Sequence, residues 1–61
     1  MAAKFEIYKD KSGEFRWRLI HTNGQVIANS GEGYTTKANA NRGINSVKEN
    51  APGAIVEDKT A

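Results

Sequence analysis

The side chains that could perform acid–base or metal chemistry are few and scattered in this sequence. Its 61 residues include a single His, no Cys and seven Asp and Glu. His21 is the only group that titrates near neutral pH, and the sequence places no Ser, Cys or second His to form a nucleophile pair with it. Glu57 and Asp58 are adjacent at the end of a predicted strand, so their side chains should point to opposite faces and form no acid–base pair. We expect a non-enzymatic protein with no catalytic, metal-binding or cofactor-binding residue.

A phosphate-binding loop is the second chemistry to consider. Gly31 and Gly33 precede a predicted helix, and Lys37 lies just inside it, so free backbone N–H groups could face an anion. The glycine spacing fits neither the P-loop nor the dinucleotide-binding pattern. We therefore interpret this stretch as a turn followed by a helix N-cap at Thr35 or Thr36.

The outer face of a predicted sheet is a better candidate for binding. An aromatic side chain among cations is how some proteins stack the bases and hold the phosphates of single strands. Glu6 lies in the middle of this face, however, and cross-strand ion pairs explain the same residues. The net charge of +2 is ordinary for a small domain. A structural or protein-interaction role is the favoured interpretation, with nucleic-acid contact as the alternative. The residues of that alternative are Lys4, Tyr8, Arg16 and Arg18.

Two alternating runs joined by Asn23-Gly24 predict a central hairpin. This dipeptide favours a type I′ turn, in which both central residues have positive φ. A two-residue loop pairs Thr22 with Gln25 and fixes which side chains face the core. The residues of the predicted inner face are Trp17, Leu19, His21, Val26, Ala28 and Ser30, and those of the outer face are Arg18, Ile20, Ile27 and Asn29.

A first strand, residues 4 to 9, precedes this hairpin. A three-residue loop, residues 11 to 13, suits a type I turn that ends on Gly13 in the left-handed region as a G1 bulge. This loop length pairs Ile7 with Trp17 and keeps the arginines on the outer face. A four-residue loop would instead set Ile7 against an arginine, so we predict the shorter one.

Small apolar residues at helical spacing predict a helix after Thr36. It should end near Asn50, because Pro52 disfavours helical geometry at the residue before it. Residues 54 to 57 then predict a short last strand. The stripe on this helix comprises Ala40, Ile44, Val47 and Ala51.

These elements predict a single α+β domain over residues 1–61 with the order βββαβ, in which one helix packs on one face of an antiparallel sheet. A chain this short buries only ~60% of its unfolded surface, and disulfides and thiolate metal sites are absent, so we expect a homodimer. No membrane-length apolar run and no leader-like segment occurs, which favours a cytoplasmic location and argues against a membrane partner. The predicted core is Phe5, Ile7, Phe15, Trp17, Leu19, Val26, Ala40, Ile44 and Val47.

Three segments resemble the YegP-like family of small bacterial domains: FRWRL at 15–19, NGQVIA at 23–28 and SGEGY at 30–34. The resemblance extends over nearly the whole chain. It implies a βββαβ unit that occurs as tandem repeats or as a dimer, in one continuous antiparallel sheet with the C-terminal strands exchanged. It implies no activity, cofactor or named protein partner, because the family has none assigned.

Overall fold

The chain forms a three-stranded antiparallel sheet with a helix on one face. The structure, a computed structural model, describes residues 2–60. The strands occur in the order β1-β2-β3, so β2 is central, and the helix contacts β2 and β1. The predicted α+β class is confirmed. The elements are β1 (Lys4–Lys9), β2 (Phe15–Ile20), β3 (Val26–Asn29), α1 (Lys37–Asn50) and a 3₁₀ turn (Ala51–Gly53).

The β1–β2 hairpin has the predicted loop and register. Gly13 has a φ of +82°, and its N–H donates to the Asp10 carbonyl at 3.0 Å. Ile7 pairs with Trp17, so the two large apolar side chains lie on the same face. The alternation of the two strands and the glycine of the turn therefore agree on one pairing.

The β2–β3 hairpin differs from the prediction of a type I′ turn. Among its turn residues only Gly24 has a positive φ, at +91°. The His21 N–H donates to the Gln25 carbonyl at 2.8 Å, and the Gly24 N–H donates to the His21 carbonyl at 2.9 Å. The loop therefore has three residues, as in the first hairpin. The predicted pairing of Thr22 with Gln25 was wrong, because His21 is the partner of Gln25.

Val26 lies outside the core, which corrects its predicted inward position. Ile20 pairs with Val26 and Leu19 pairs with Ala28, so β3 carries one extra residue, Ile27, between these pairs. Directly opposed residues share a face of a sheet, and this bulge therefore puts Val26 beside Ile20 on the outer face. Val26 and Ile27 are 54% and 55% exposed.

The core is centred on Trp17, which is 6% exposed between the sheet and the helix residues Ala40 and Ile44. The Phe5 ring packs edge-on against the Trp17 ring, with 5.6 Å between their centroids. Leu19 was predicted to be a core residue but is only partly buried and does not belong to the cluster around Trp17. Tyr34 was not predicted to be a core residue but packs there. The partly buried side chains against the core are Phe5, Ile7, Phe15, Tyr34 and Val47.

Helix α1 begins and ends where the sequence indicates. Thr36 is its N-cap, and the Thr36 hydroxyl accepts the Asn39 N–H at 3.1 Å, which satisfies one of the free N–H groups of the first turn. The helix ends at Asn50. Ala51 differs from expectation, because it keeps helical angles and is exposed. The 3₁₀ turn that contains Pro52 then ends the helical stretch.

The last strand predicted over residues 54–57 is not formed in the single chain. Residues 54–60 belong to no helix or strand, and all are exposed. A strand needs a neighbouring strand that pairs with its N–H and C=O groups, and the described part of this chain provides no such neighbour for residues 54–57.

No helix within residues 2–60 is both long enough and apolar enough to cross a bilayer.

Candidate interaction surfaces

The outer face of the sheet brings together the four residues suggested for nucleic-acid contact. Lys4 pairs with Ile20, and Tyr8 pairs with Arg16 across the β1–β2 ladder. Arg18 pairs with Glu6 on the same ladder. Because these positions alternate with the inward-facing residues, their side chains point away from helix α1.

Glu6 links two of the cations on this face. Arg18 Nε donates to Glu6 Oε1 at 3.0 Å, and Lys4 Nζ lies 3.4 Å from Glu6 Oε2. The hydrogen bond from Arg18 lowers the pKa of the Glu6 carboxyl below its usual range, and Lys4 lowers it further. The Arg18 guanidinium also lies over the Tyr8 ring, 4.8 Å from its centroid, which is a cation–π contact.

Asp10 holds the third cation and the first turn together. Arg16 Nε donates to Asp10 Oδ2 at 2.6 Å. The other carboxylate oxygen accepts the N–H groups of Ser12 and Glu14 at 2.9 and 3.0 Å. These contacts, the Arg16 hydrogen bond first, lower the pKa of Asp10 below its usual range. Asp10 is therefore a structural residue that ties the turn to β2.

The charges of the outer face largely balance one another. Among residues 2–60, ion pairs on this face join three cations to two carboxylates, Glu6 and Asp10, and the charge of Glu14 also acts on Arg16. A nucleic-acid base stacking on Tyr8 would have to displace Arg18 from the ring. The arrangement thus suits a solvated sheet face or a contact with a mildly acidic partner.

His21 supports the second turn as Asp10 supports the first. Its Nδ1 accepts the Asn23 N–H at 3.1 Å, just as Asp10 accepts the N–H two residues ahead. His21 lines an open groove of about 460 Å³ on the outer face, which corrects its predicted inward position. Among residues 2–60, no three His, Cys, Asp or Glu side chains lie close enough to hold a metal ion. The groove lining consists of Ala2, Lys4, Glu6, Ile20, His21, Thr22 and Gly24.

The Gly31–Gly33 stretch forms a turn whose polar groups bond within the chain. Gly31 has a φ of +71°, and its N–H donates to Asn29 Oδ1 at 3.2 Å. The Ser30 hydroxyl donates to the Glu32 carbonyl at 2.9 Å. At Gly33, an added Cβ would lie 2.9 Å from Glu14 Cβ, so this glycine is needed for packing. The stretch is built as a connection, in line with the interpretation of the sequence.

The C-terminal segment, residues 54–60, exposes apolar side chains, as the sheet does at Val26 and Ile27. Ile55 and Val56 are 86% and 95% exposed. Lys59 Nζ lies 3.3 Å from Glu57 Oε1, and the Thr60 hydroxyl and N–H lower the pKa of Asp58. Two apolar side chains followed by two carboxylates therefore stand in water.

Sequence reasoning placed Ile20 and Ile27 together on the outer face but missed Val26, the third member of this apolar patch, because the bulge in β3 was not predicted. Val-Ile at the start of a strand signals burial of one residue and exposure of the other. Only the three-residue loop places both on the outer face. The Asn23-Gly24 dipeptide fits both a two-residue loop and a three-residue loop that ends on Gly24, so it does not decide between them.

A family model described as a domain of unknown function, DUF1508, matches residues 10–58. A UPF0339 protein of Treponema denticola is 61% identical over 92% of this chain and 95% of its own length. One from Mesorhizobium japonicum is 53% identical over 98% of this chain and 100% of its own. A UPF0339 protein from Stutzerimonas stutzeri, described as lying in the ptx operon 5′ region, is 56% identical over 85% of this chain but only 46% of its own length.

Two solved structures share the fold. The solution structure of a Haloferax volcanii protein has a TM-score of 0.88 and 51% identity, covering 93% of this chain and 95% of that one. Protein ATU0232 from Agrobacterium tumefaciens has a TM-score of 0.75 and 48% identity, covering 92% and 89%. These matches confirm the resemblance that the sequence motifs carried, and the chain belongs to the DUF1508 family, whose relatives here are called UPF0339 proteins.

Proposed function

We propose that this domain is a non-enzymatic interaction module that works as a homodimer, with residues 54–60 of each copy packed against the other. The exposure of Ile55 and Val56 carries the proposal. Burying one such side chain is worth ~1.5–3 kcal/mol, and β-branched residues favour strands. A second copy would provide both the burial and the missing strand neighbour.

The small core supports self-association. Within residues 2–60 the buried apolar residues are Trp17, Ala40 and Ile44. A domain of this size rarely gains more than ~3–5 kcal/mol from one core, and oligomerisation is a common supplement. Contacts with the C-terminal segment of a partner would extend the core without lengthening the chain.

Strand β1 is the edge that we propose for the partner's segment. It pairs with β2 on one side, and no other strand of residues 2–60 pairs with it. Its inward residues Phe5 and Ile7 are only partly buried, so apolar surface is left to cover. Strand β3 is short and bulged, and these features protect a sheet edge from pairing.

The Stutzerimonas stutzeri relative is consistent with a paired unit. The matched region is 46% of that protein, which leaves room for a second unit of similar size. Two units in one chain would supply the contact that two separate chains form in a dimer.

The non-enzymatic part of the proposal rests on what the polar side chains already do. His21 and Asp10 accept backbone N–H groups in the two turns, and Glu6 bonds to Arg18. These three side chains, which could transfer a proton, therefore each have a structural partner.

Sedimentation velocity at tens of micromolar protein tests the proposal. We expect the full chain to sediment at twice the 6.7 kDa chain mass, and a chain truncated after Pro52 to lose the dimer and most of its cooperative folding. A full chain that sediments as a monomer would contradict the proposal. A truncated chain that stays dimeric and folded would also contradict it, and would point to an interface elsewhere.

Single-strand nucleic-acid binding through Lys4, Tyr8, Arg16 and Arg18 is the second candidate. The observation that favours it is an open sheet face on which an aromatic ring, Tyr8, lies among three cations. Titration with short RNA and DNA at two salt concentrations tests this function, because phosphate contacts weaken steeply as salt rises. Unchanged Trp17 fluorescence and amide resonances at low salt would count against it.

A further inference from the structure

We infer that the outer face of the sheet binds an extended peptide in which branched apolar side chains lie next to carboxylates. The site has two adjoining parts, the apolar patch of Ile20, Val26 and Ile27 and the open groove beside Lys4 and His21. This surface does not include residues 54–60, and it uses the outward side chains of β1 rather than the free backbone edge of that strand, so the inference goes beyond the proposed dimer and does not depend on it.

The bulge in β3 creates the apolar patch. Without the extra residue, a regular ladder from the Leu19–Ala28 pair would leave Val26 facing helix α1. The observed pairing of Val26 with Ile20 turns it outward beside Ile27, and both residues are more than half exposed. Burial of Val26 would have added to a small core, so stability does not explain this placement. Bulges commonly re-aim side chains at functional positions.

The groove continues the patch toward β1. Ile20 belongs to both, and the β2–β3 turn and the start of β1 form the two walls. Its volume of about 460 Å³ falls within the range of ~300–1,000 Å³ typical of ligand sites. Because the groove opens to solvent, it suits a chain that passes through it better than an enclosed small molecule.

The charges around the site favour a partner with negative charge. The Lys4 and Arg18 side chains are 67% and 43% exposed, whereas Glu6 between them is 35% exposed. Both oxygens of Glu6 already contact these cations. An ammonium group has three donors, so Lys4 can bond to a further carboxylate. A basic partner would meet like charges at this rim.

Fluorescence anisotropy with two labelled synthetic peptides tests the inference on the full chain. Both peptides share an Ile-Val-Ile centre, and one is flanked by Asp and Glu while the other is flanked by Lys and Arg. We expect the acidic peptide to bind at low salt and the basic one to bind at least about tenfold more weakly. Equal affinity for the two peptides, or no binding of the acidic one at millimolar concentration, would overturn the inference.

Variants of exposed residues locate the binding. The double variant Val26→Ser/Ile27→Ser and the single variant Lys4→Glu should each weaken the acidic peptide by about tenfold. Lys11→Glu makes the same charge change in the exposed first turn and should leave binding unchanged. Unchanged unfolding midpoints show that the variants fold. If peptide binding survives the double variant, the patch is not the site.

Two further measurements separate this inference from the other proposals. A short oligothymidylate that binds more tightly than the acidic peptide, with a steep salt dependence, would overturn the inference in favour of nucleic acid. The outer-face variants should sediment as the full chain does. A chain that is monomeric but still binds the acidic peptide through Val26 and Ile27 would overturn the dimer alone and support this site.

Discussion

A Cβ atom on Gly43 would lie 2.6 Å from the Tyr34 hydroxyl oxygen and 3.0 Å from Trp17 Nε1. Helix α1 therefore comes this close to the sheet because position 43 has no side chain. Tyr34 is fixed from the other side, since its N–H and C=O exchange hydrogen bonds with Phe15 at 2.7 and 2.8 Å. Trp17 Nε1 is buried beside this contact and has no acceptor among the described residues. Gly43 thus sets the spacing of the two layers.

We predict that Gly43→Ala destabilises the domain although Ala is the better helix former. Ala gains ~1 kcal/mol in helix propensity, whereas overpacking a close contact costs ~1–3 kcal/mol, so the net loss should be about 1 kcal/mol. Urea denaturation followed by Trp17 fluorescence measures the change.

Two variants control for this prediction. Asn45→Ala, at an exposed position of the same helix, should be neutral or slightly stabilising. Tyr34→Phe in the Gly43→Ala background should recover part of the loss, because it removes the nearest atom. If Gly43→Ala raises the denaturation midpoint, the inference that Gly43 sets the spacing of helix and sheet is wrong.

The second turn gives a prediction that separates the two kinds of hairpin loop. The φ of Gly24 is +91°, whereas the φ of Asn23 is not positive. Gly24→Ala should therefore cost ~1–2 kcal/mol, the usual penalty for a side chain in the left-handed region. Asn23→Ala should cost less, since it removes only the hydrogen bond from the Gln25 N–H to Asn23 Oδ1. Equal losses would instead indicate a type I′ turn.

The β1–β2 hairpin could be predicted because independent signals in the sequence agree. Gly13 marks the left-handed position of the turn, and the alternation of both strands allows only one loop length to put Ile7 with Trp17. The N-cap at Thr36, one of the two predicted positions, and the end of the helix at Asn50 likewise follow from local geometry. These features depend on a few neighbouring residues and were predicted correctly.

The remaining features depend on contacts that local sequence does not encode. Asn23-Gly24 fits two loop lengths, and the choice moved Val26 from the core to the outer face. Tyr34 stands alone after a glycine-rich turn, so no periodicity marked it as a core residue. For residues 54–57 the strand pattern is present, but a strand also requires a neighbour. In the interaction patch, Ile20 and Ile27 were predicted correctly, and only Val26 was missed, for the first of these reasons.

Acid should weaken the fold through Asp10. The Arg16 hydrogen bond and then the turn N–H groups lower the pKa of Asp10 in the folded chain, while the unfolded chain keeps the ordinary pKa of ~3.9. The unfolded state therefore binds a proton more readily. The stability that Asp10 contributes is fully present above pH ~4 and is lost as pH falls through the lower folded pKa.

Asp10→Asn tests this dependence. The variant keeps an oxygen for the turn N–H groups and removes the charge next to Arg16, so its thermal midpoint should fall less between pH 5 and pH 2 than that of the parent chain. Glu32→Gln removes an exposed carboxylate outside these ion pairs. Its thermal midpoint should fall between pH 5 and pH 2 as much as that of the parent chain, which we call the parental slope. A parental slope in Asp10→Asn would assign the acid sensitivity to another group.

If the domain folds as a dimer, its thermal midpoint must depend on concentration. Each tenfold increase in concentration then favours the folded dimer by ~1.4 kcal/mol, since one folded species unfolds into two chains. The midpoint should therefore rise by several degrees over two decades of concentration. Differential scanning fluorimetry or calorimetry across that range measures the shift.

The C-terminal contact can be tested in the same experiment with matched apolar pairs. Ile55→Ser/Val56→Ser should lower the midpoint and flatten its dependence on concentration, because the proposed contact loses both apolar side chains. Val26→Ser/Ile27→Ser removes the same two residue types from the outer face and should keep the parental dependence. If the outer-face pair flattens the curve and the C-terminal pair leaves it unchanged, the copies meet through the sheet face, and residues 54–60 do not hold the dimer together.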